Sequence, residues 1–343
     1  MGPPRPELGR FLAEAFPRSE VRSIAGDAST RRFCRVRLPD GTSRVVMDYG
    51  APFEGETDDI RLTRLFERAA LPVAQVLQIA PEVGCLVLED LGDCTMETAL
   101  VDLPGAGSSH ADCPPPRDLR EDLYRKAVDL ARAVAVRGTQ ALVSSPRASG
   151  PALDGDRLCF EMDFFIEHYV LGFMGRRTLP SGLRDALYGL AREASEGSTP
   201  ILCHRDYHSR NLMVRTDGSL AMVDIQDARW GPDSYDLASL LRDAYVELDD
   251  ELVERMIDAY RKGLPDPPAP NDFRARFDVV AAQRMIKALG TFGHQAHVLG
   301  RQRYLSGVPR TLDRIGRFFP RSSSTASIGE LLRSEGLLHV PSR

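Results

Sequence analysis

The stretch from Ile201 to Asp227 constrains this chain more than any other. It reads Ile201-Leu202-Cys203-His204-Arg205-Asp206-Tyr207-His208-Ser209-Arg210-Asn211-Leu212-Met213-Val214, then Arg215-Thr216-Asp217-Gly218-Ser219-Leu220, then Ala221-Met222-Val223-Asp224-Ile225-Gln226-Asp227. Three short apolar runs bracket two polar stops, and Thr216-Asp217-Gly218 supplies the turn chemistry of a hairpin. Such an arrangement sets Asp206, Asn211 and Asp224 on connections between short strands, where their side chains can converge on one point.

Phosphoryl transfer needs a carboxylate near the attacking hydroxyl, hard oxygen ligands for Mg²⁺, and positive or N–H groups around the phosphates. Asp206, Asn211 five positions later and Asp224 beyond the hairpin supply the first two. His-Arg-Asp, an Asn at the fifth position and a later metal-binding Asp have the spacing of the protein-kinase catalytic segment. An Asp or Asn in a loop is ordinarily a turn or cap residue; the joint occurrence of loop, spacing, hairpin and second Asp is what points to function. His204 and His208 stand four apart, but Asp206 lies between them and no helical pattern is present, which weakens a metal pair. His208 is expected to orient substrate or support the loop.

The rest of the chain is compatible with a globular enzyme. Its 343 residues, 43% hydrophobic and 27% charged, allow two domains or one two-lobed unit and exclude a mostly disordered chain. A net charge of −5 argues against a nucleic-acid binder that relies on bulk positive charge. No stretch approaches the ~20 apolar residues of a membrane span, and Met1-Gly2-Pro3-Pro4-Arg5-Pro6-Glu7 does not resemble a secretory signal, so a cytoplasmic protein is expected. The six cysteines form no Cys-x-x-Cys pair, and free thiols are expected.

Upstream, Arg31 to Leu38 and Ser43 to Asp48, joined by Pro39-Asp40-Gly41-Thr42, predict a hairpin. The spacing predicts a helix from Asp58 to Ala70 and a strand from Val83 to Glu89. Leu103 to Pro116 is rich in Pro, Gly and Ser and reads as a loop. Beyond it, helices are expected over Leu119–Val134, Leu248–Tyr260 and roughly Phe273–Gly300, with a partly helical Ile328–Leu338 docking on them. The expectation is an α+β chain of two lobes: a small mixed N-lobe with an antiparallel sheet over 1–91, and a larger, mainly helical C-lobe over 92–343.

On these residues the chain resembles the aminoglycoside phosphotransferase/choline kinase-like superfamily, and within it the anomeric N-acetylmuramate/N-acetylglucosamine kinases of bacterial cell-wall recycling. The resemblance is carried by Gly26-Asp27-Ala28-Ser29-Thr30-Arg31-Arg32-Phe33, Leu88-Glu89-Asp90-Leu91-Gly92, the His204–Asn211 loop, Val223 to Pro232, Tyr235 to Leu241, and Gln283-Arg284, Lys287, Gly290, Phe292 and Tyr304-Leu305. It implies a protein-kinase-like fold, ATP and Mg²⁺ as cofactors, and a small-molecule amino sugar as partner, with no nucleic acid or membrane and the chain acting as a monomer. Asp206 then looks like the general base or the group that orients the sugar hydroxyl, with His208 beside it; Asn211 and Asp224 look like Mg²⁺ ligands. Glu89, Asp90 and Leu91 would form the hinge that reads adenine, and Asp236 would brace the catalytic loop. Ser29 and Thr30 stand where a kinase places its glycine-rich phosphate cover, although with one glycine the segment suits an ordinary turn equally well.

One departure is plain. The lysine that protein kinases carry on the third strand is replaced, at Met47, by an apolar residue, and no lysine occurs before Lys126. The sugar kinases it resembles share a Met-Asp pair here. Arg31, Arg32 or Arg35 is expected to supply the missing cation, unless these residues form a solvated basic strand face. Alternation puts Arg31, Phe33, Arg35 and Arg37 on one face and Arg32 on the other.

On the acceptor side, Met162 is expected to start a helix on which Asp163, Glu167 and His168 either reach sugar hydroxyls or, as the readier explanation, form a mixed amphipathic face. Arg284 and Lys287, three apart on one helical face, would suit a lactyl carboxylate or a structural ion pair. The expected reaction is transfer of the γ-phosphate of ATP to the anomeric hydroxyl of N-acetylmuramate or N-acetylglucosamine. The rivals are a kinase of another hydroxyl compound, such as an aminoglycoside, choline or homoserine, and a nucleotide-binding pseudokinase. The single tryptophan offers no aromatic cage for choline.

Overall fold

The computed structural model describes residues 5–24, 31–101 and 119–339. Helix α1 (Pro6–Ala15) opens with proline, whose missing N–H is unneeded there, and presents Leu8 and Leu12, one turn apart, to the back of a sheet. The sheet has β1 (Glu20–Ile24), β2 (Arg32–Arg37), β3 (Ser43–Asp48), β4 (Val76–Ala80) and β5 (Cys85–Glu89), in the order β1-β2-β3-β5-β4 and antiparallel throughout. The β2–β3 hairpin is the expected one; Gly41 turns it at φ 86°, and Asp40 accepts from the Thr42 N–H at 2.9 Å. β1 carries no hydrophobic period because four of its five residues are exposed at a sheet edge, and β4 is bulged between Val76 and Gln78. Neither is legible as a strand in the sequence.

Alternation divides the sheet into two faces. Val36, Val46, Cys85 and Val87 pack under α1, while Phe33, Met47 and Leu86 pack with Ile60 of helix α2 (Asp58–Arg68). The expected helix from Asp58 to Ala70 is thus present.

From β5 the chain passes into α3 (Met96–Val101), then α4 (Leu119–Ala133), which continues through a π-helical turn, Val134–Gly138, into α5 (Thr139–Val143). Met162 does not start a helix but lies inside α6 (Gly155–Phe165): the start is set by Asp154, whose side chain accepts from the Arg157 N–H at 2.9 Å. α6 runs on as π-helical turns over Ile166–Phe173. α7 (Leu183–Glu196) precedes four short strands, β6 (Ile201–Cys203), β7 (Leu212–Val214), β8 (Leu220–Met222) and β9 (Arg229–Gly231), paired β6–β9 and β7–β8. Then come α8 (Tyr235–Leu241), α9 (Asp250–Lys262), α10 (Pro270–His297), α11 (Gly307–Phe318) and α12 (Ser323–Ser334). α12 buries Ile328 and Leu332 in the large core, as the tail's spacing suggests.

Two backbone bonds tie the β7–β8 hairpin to the junction of the lobes: Val214 N–H to Cys94 O and Met222 N–H to Pro72 O, both 2.8 Å. α10 lies close against α6 because Gly290 and Gly293 carry no side chain; a Cβ on Gly290 would stand 2.8 Å from the Phe165 Cα, and one on Gly293 would meet the His168 carbonyl. Among the described residues no helix is long and apolar enough to cross a membrane. Cys34, Cys85, Cys159 and Cys203 are free thiols, as expected, whereas Cys94 is disulfide-bonded. Ser29, Thr30 and the Pro/Gly/Ser-rich segment at 103–116 lie outside the described residues.

Candidate active site

The loop after β6 is held from both sides by buried carboxylates. Asp236, at the start of α8, accepts the N–H groups of His204 (2.6 Å) and Arg205 (2.9 Å). Asp243, only 3% exposed, accepts the Ser209 N–H at 2.9 Å. Between these anchors Arg205 adopts φ 82°, a left-handed conformation unfavourable for a side chain of its size. Its guanidinium is fixed by Glu161 (3.3 Å) and Asp227 (2.9 Å). Asp206 follows directly, its carboxylate partly exposed in the cleft.

Asp206, Asn211 and Asp224 belong to one hydrogen-bonded frame. The Asn211 side-chain N–H₂ donates to Asp206 O at 2.9 Å, the Val223 N–H to Asn211 O at 3.1 Å, and the buried His204 ring spans to Val223 O at 2.9 Å. Asp224 takes φ 62°, which turns the chain sharply after β8, and its Oδ1 accepts from Gln226 at 2.7 Å.

Burial opposes the charge on Asp206, but Lys287, Arg205, Arg284 and His208 outweigh it and hold the carboxyl well below the usual carboxylate range. Lys287 Nζ stands 3.5 Å from Asp206 Oδ1. Glu161 is likewise kept ionised: burial works against it, and Lys287, Arg205 and a 3.0 Å hydrogen bond from Gln283 prevail. His208 is pushed down by burial, against the pull of Asp243 and Asp206. Its ring stands edge-on to Tyr245, and its Nδ1 is buried with no hydrogen-bond partner.

The donor set fits Mg²⁺ bound together with nucleotide. Asn211 commits its amide nitrogen to Asp206 O, which leaves the amide oxygen for a ligand, and Asp224 adds a carboxylate. Among the described residues no group of three or more His, Cys, Asp or Glu side chains could hold a metal on its own. A hard cation that takes one or two protein oxygens and completes its shell with phosphate and water matches such a site.

The other expected residues divide. Arg284 and Lys287 do share a face of α10, but that face is turned to the catalytic loop: Lys287 to Asp206, and Arg284 over the Tyr235 ring at 4.2 Å with Nη1 unpartnered. Arg35 is not free to bind phosphate. It is spent on the acids just after β5, donating to Asp90 at 2.6 and 3.0 Å and to Asp93 at 2.6 Å. Arg32 is not in the cleft either, since its register partner Asp48 is on the α1 face, where Asp48 is paired to Arg5 at 2.6 Å. Arg31 lies on the cleft side and bonds to Asp59 at 2.9 Å.

Asp163 is turned away to Tyr188 (2.5 Å) and Arg184 (3.1 Å), and Glu167 is exposed. His168 packs with the rings of Phe164 and His294, at 4.2 and 4.6 Å between centroids. Glu89, expected to help read adenine, holds Arg215 at 3.4 Å and gives its N–H to Gln75 O at 2.8 Å, so its backbone donor is already committed.

Sequence reasoning missed Asp59, Glu161 and Asp243. Each is an acidic residue in an amphipathic or loop segment, with nothing local to distinguish it from a solvated one.

Against known proteins, the profile of the phosphotransferase enzyme family matches residues 20–273. A protein of Neisseria meningitidis serogroup B named N-acetylmuramate/N-acetylglucosamine kinase is 30% identical over 95% of this chain and 94% of its own. One of the same name from Pseudomonas aeruginosa is 31% identical over 96% and 93%. A solved choline/ethanolamine kinase family protein from Mesorhizobium loti matches with a TM-score of 0.60 at 16% identity, covering 95% of this chain and 99% of that one, a likeness of fold. With the profile running from the first strand of the sheet into α10, and relatives similar along nearly their whole length, this chain belongs to the phosphotransferase enzyme family.

Proposed function

We propose that this protein is an ATP- and Mg²⁺-dependent kinase, working in the cytoplasm, that phosphorylates the anomeric hydroxyl of N-acetylmuramate or N-acetylglucosamine. The observation that carries the chemistry is Asp206, held ionised 3.5 Å from Lys287 in a loop hydrogen-bonded to Asn211. The names of the relatives above carry the choice of sugar.

A carboxylate whose pKa is pushed down is a poor base but a strong hydrogen-bond acceptor. Phosphoryl transfer through a loose transition state needs little proton removal before the phosphoryl group moves. Asp206 therefore orients the hydroxyl and takes its proton late. Asn211 and Asp224 would hold Mg²⁺, which when bound neutralises charge on the phosphates. Asp90 and Leu91 receive the adenine at the hinge, and closure of the sheet lobe excludes water that would otherwise compete as acceptor.

Helical spacing supports a position for the acceptor. His294 lies seven residues beyond Lys287 on α10, and His168 lies in the π-helical turns that follow α6, so the Phe164–His168–His294 ring cluster sits about two turns, or ~10 Å, along α10 from the lysine that contacts Asp206. A pyranose with C1 at Asp206 extends toward that wall, while Arg284 and Lys287 add positive charge beside the reacting end.

The test is transfer of phosphate from ATP across a panel of sugars with Mg²⁺. N-acetylmuramate or N-acetylglucosamine should be phosphorylated and their 1-O-methyl glycosides should not. Asp206→Asn should lower turnover at least a thousandfold, on the order of 4 kcal/mol of barrier, with ATP still bound. Equal transfer to the methyl glycosides would refute the anomeric assignment, and a near-wild-type Asp206→Asn enzyme would refute the role of Asp206.

A further inference from the structure

With Met47 in place of the third-strand lysine, the nucleotide phosphates lack the usual cation, and the structure narrows what can replace it. Lys126, the first lysine of the chain, is engaged with Gly218 O at 2.9 Å and Asp122 at 2.8 Å on the far side of the β7–β8 hairpin. Arg35 is locked to the acids just after β5 and Arg32 belongs to the α1 face.

Arg31 differs from both. It immediately precedes β2, on the face that carries Phe33 and, across the strand pair, Met47. Its guanidinium donates to Asp59 Oδ1 at 2.9 Å and lies over the Tyr49 ring, 5.3 Å from the centroid. The Tyr49 hydroxyl donates to the other Asp59 oxygen at 2.7 Å and is 2.9 Å from Thr57 Oγ1.

Asp59 is 8% exposed in the first turn of α2, the helix that packs on Ile225–Asp227 directly after Asp224, and the charge of Asp224 reaches it. A buried carboxylate of this kind needs a cation. A cation fixed by a buried acid on this helix, beside a metal-binding Asp, has the logic of the Lys–Glu ion pair of kinases. By that comparison the cation would come from the residue just before the neighbouring strand, and the acid would be an aspartate, one methylene shorter.

We infer that Arg31, positioned by Asp59 and Tyr49, is the group that binds the α- and β-phosphates of ATP in place of the third-strand lysine. The longer, forked guanidinium reaches from the residue before β2 where a lysine would reach from β3, and can hold two phosphate oxygens at once. Asp59 is a positioning residue: it aims the guanidinium and touches no substrate.

The inference rests on the nucleotide-dependent reading of the site, and its test needs no sugar. Calorimetric titration of the full-length protein with ATP–Mg²⁺ and, separately, with adenosine isolates the phosphate contribution. Arg31→Ala should weaken ATP about tenfold to a hundredfold and leave adenosine within about twofold. Asp59→Asn should weaken ATP less, again sparing adenosine, and Met47→Lys added to Arg31→Ala should recover part of the loss. Arg37→Ala, an exposed arginine of the same strand, should change neither.

Should Arg31→Ala fail to fold by its thermal transition, the shorter but polar and neutral Arg31→Gln carries the same criteria. A folded variant that binds ATP as tightly as wild type, or that loses ATP and adenosine in equal measure, overturns the inference. A wild-type protein that binds neither ligand overturns the nucleotide-dependent reading and the inference with it.

Discussion

Asp206 keeps its charge in partly buried surroundings because three cations stand around it, Lys287 closest in effect. Lys287→Met removes that support without shortening the side chain much. We expect turnover to fall about ten- to a hundredfold, from the loss of one charge-assisted contact, while the KM for ATP changes little; a full kinetic split of the variant checks this. The half-buried Cys34 and buried Cys85 thiols face the opposite balance. Burial pushes Cys34 up to about 11 and Cys85 to about 12, so neither forms an appreciable thiolate at pH 8. Both should resist iodoacetamide in the folded protein and react on unfolding, as peptide mass mapping would show. The residue scale is also where the sequence was most informative. Asp206, Asn211 and Asp224 are joined by bonds within one short stretch, and turn residues such as Asp217-Gly218 dictate that geometry locally. Which of Arg31, Arg32 and Arg35 enters the cleft was legible only as alternation: the period separates Arg32 from the other two, and cannot tell Arg31 from Arg35.

Between elements, two contacts set the geometry of the cleft. Arg35 ties β2 to the segment just after β5, and its partner Asp90 is held below the ordinary carboxylate range: burial opposes the charge, while hydrogen bonds from Arg35, Ser43 and the Gly92 N–H favour it. A carboxylate lowered on folding adds stability above its unfolded pKa of about 4 and loses it as pH falls through the folded value. Arg35→Ala should therefore cost about 1.5–3 kcal/mol at pH 7, and its gap from wild type should shrink as denaturant midpoints are followed from pH 5 down toward pH 3. The second contact is the close approach of α10 to α6. Gly290→Ala places a methyl against the Phe165 backbone and should cost about 1–3 kcal/mol, with turnover falling alongside because Lys287 rides on the same helix. Periodicity shows that α6 and α10 each have a buried face. It does not show that the two faces meet through glycine, nor that Asp163, on the same helix as Glu161, turns outward to Tyr188.

Across the whole molecule, support for the reacting loop comes from remote segments. α11 sends Arg314, 3% exposed, to Asp243 O and to Val246 O (2.6 Å), and Arg310 to Ala244 O (2.9 Å) and Tyr245 O (2.6 Å). The carboxylate of that same Asp243 holds Ser209. Arg314→Met would leave two buried carbonyls unpaired; we expect a loss of about 2–4 kcal/mol, measured by urea denaturation, and lower turnover although the substitution lies well outside the cleft. By itself the amino-acid sequence determined the short-strand frame of Asp206, Asn211 and Asp224, the β2–β3 hairpin and the division into a sheet-bearing and a helical lobe, because those follow from turn chemistry and the periods of 2 and 3.6 residues. Tertiary structure alone decided the partners of the charged groups: Arg31 with Asp59, Arg205 with Glu161 and Asp243 with the Ser209 N–H lie 28, 44 and 34 positions apart. Periodicity says which face of an element is buried; only packing says which charge waits on the other side, and in a low-dielectric interior that choice sets each group's role.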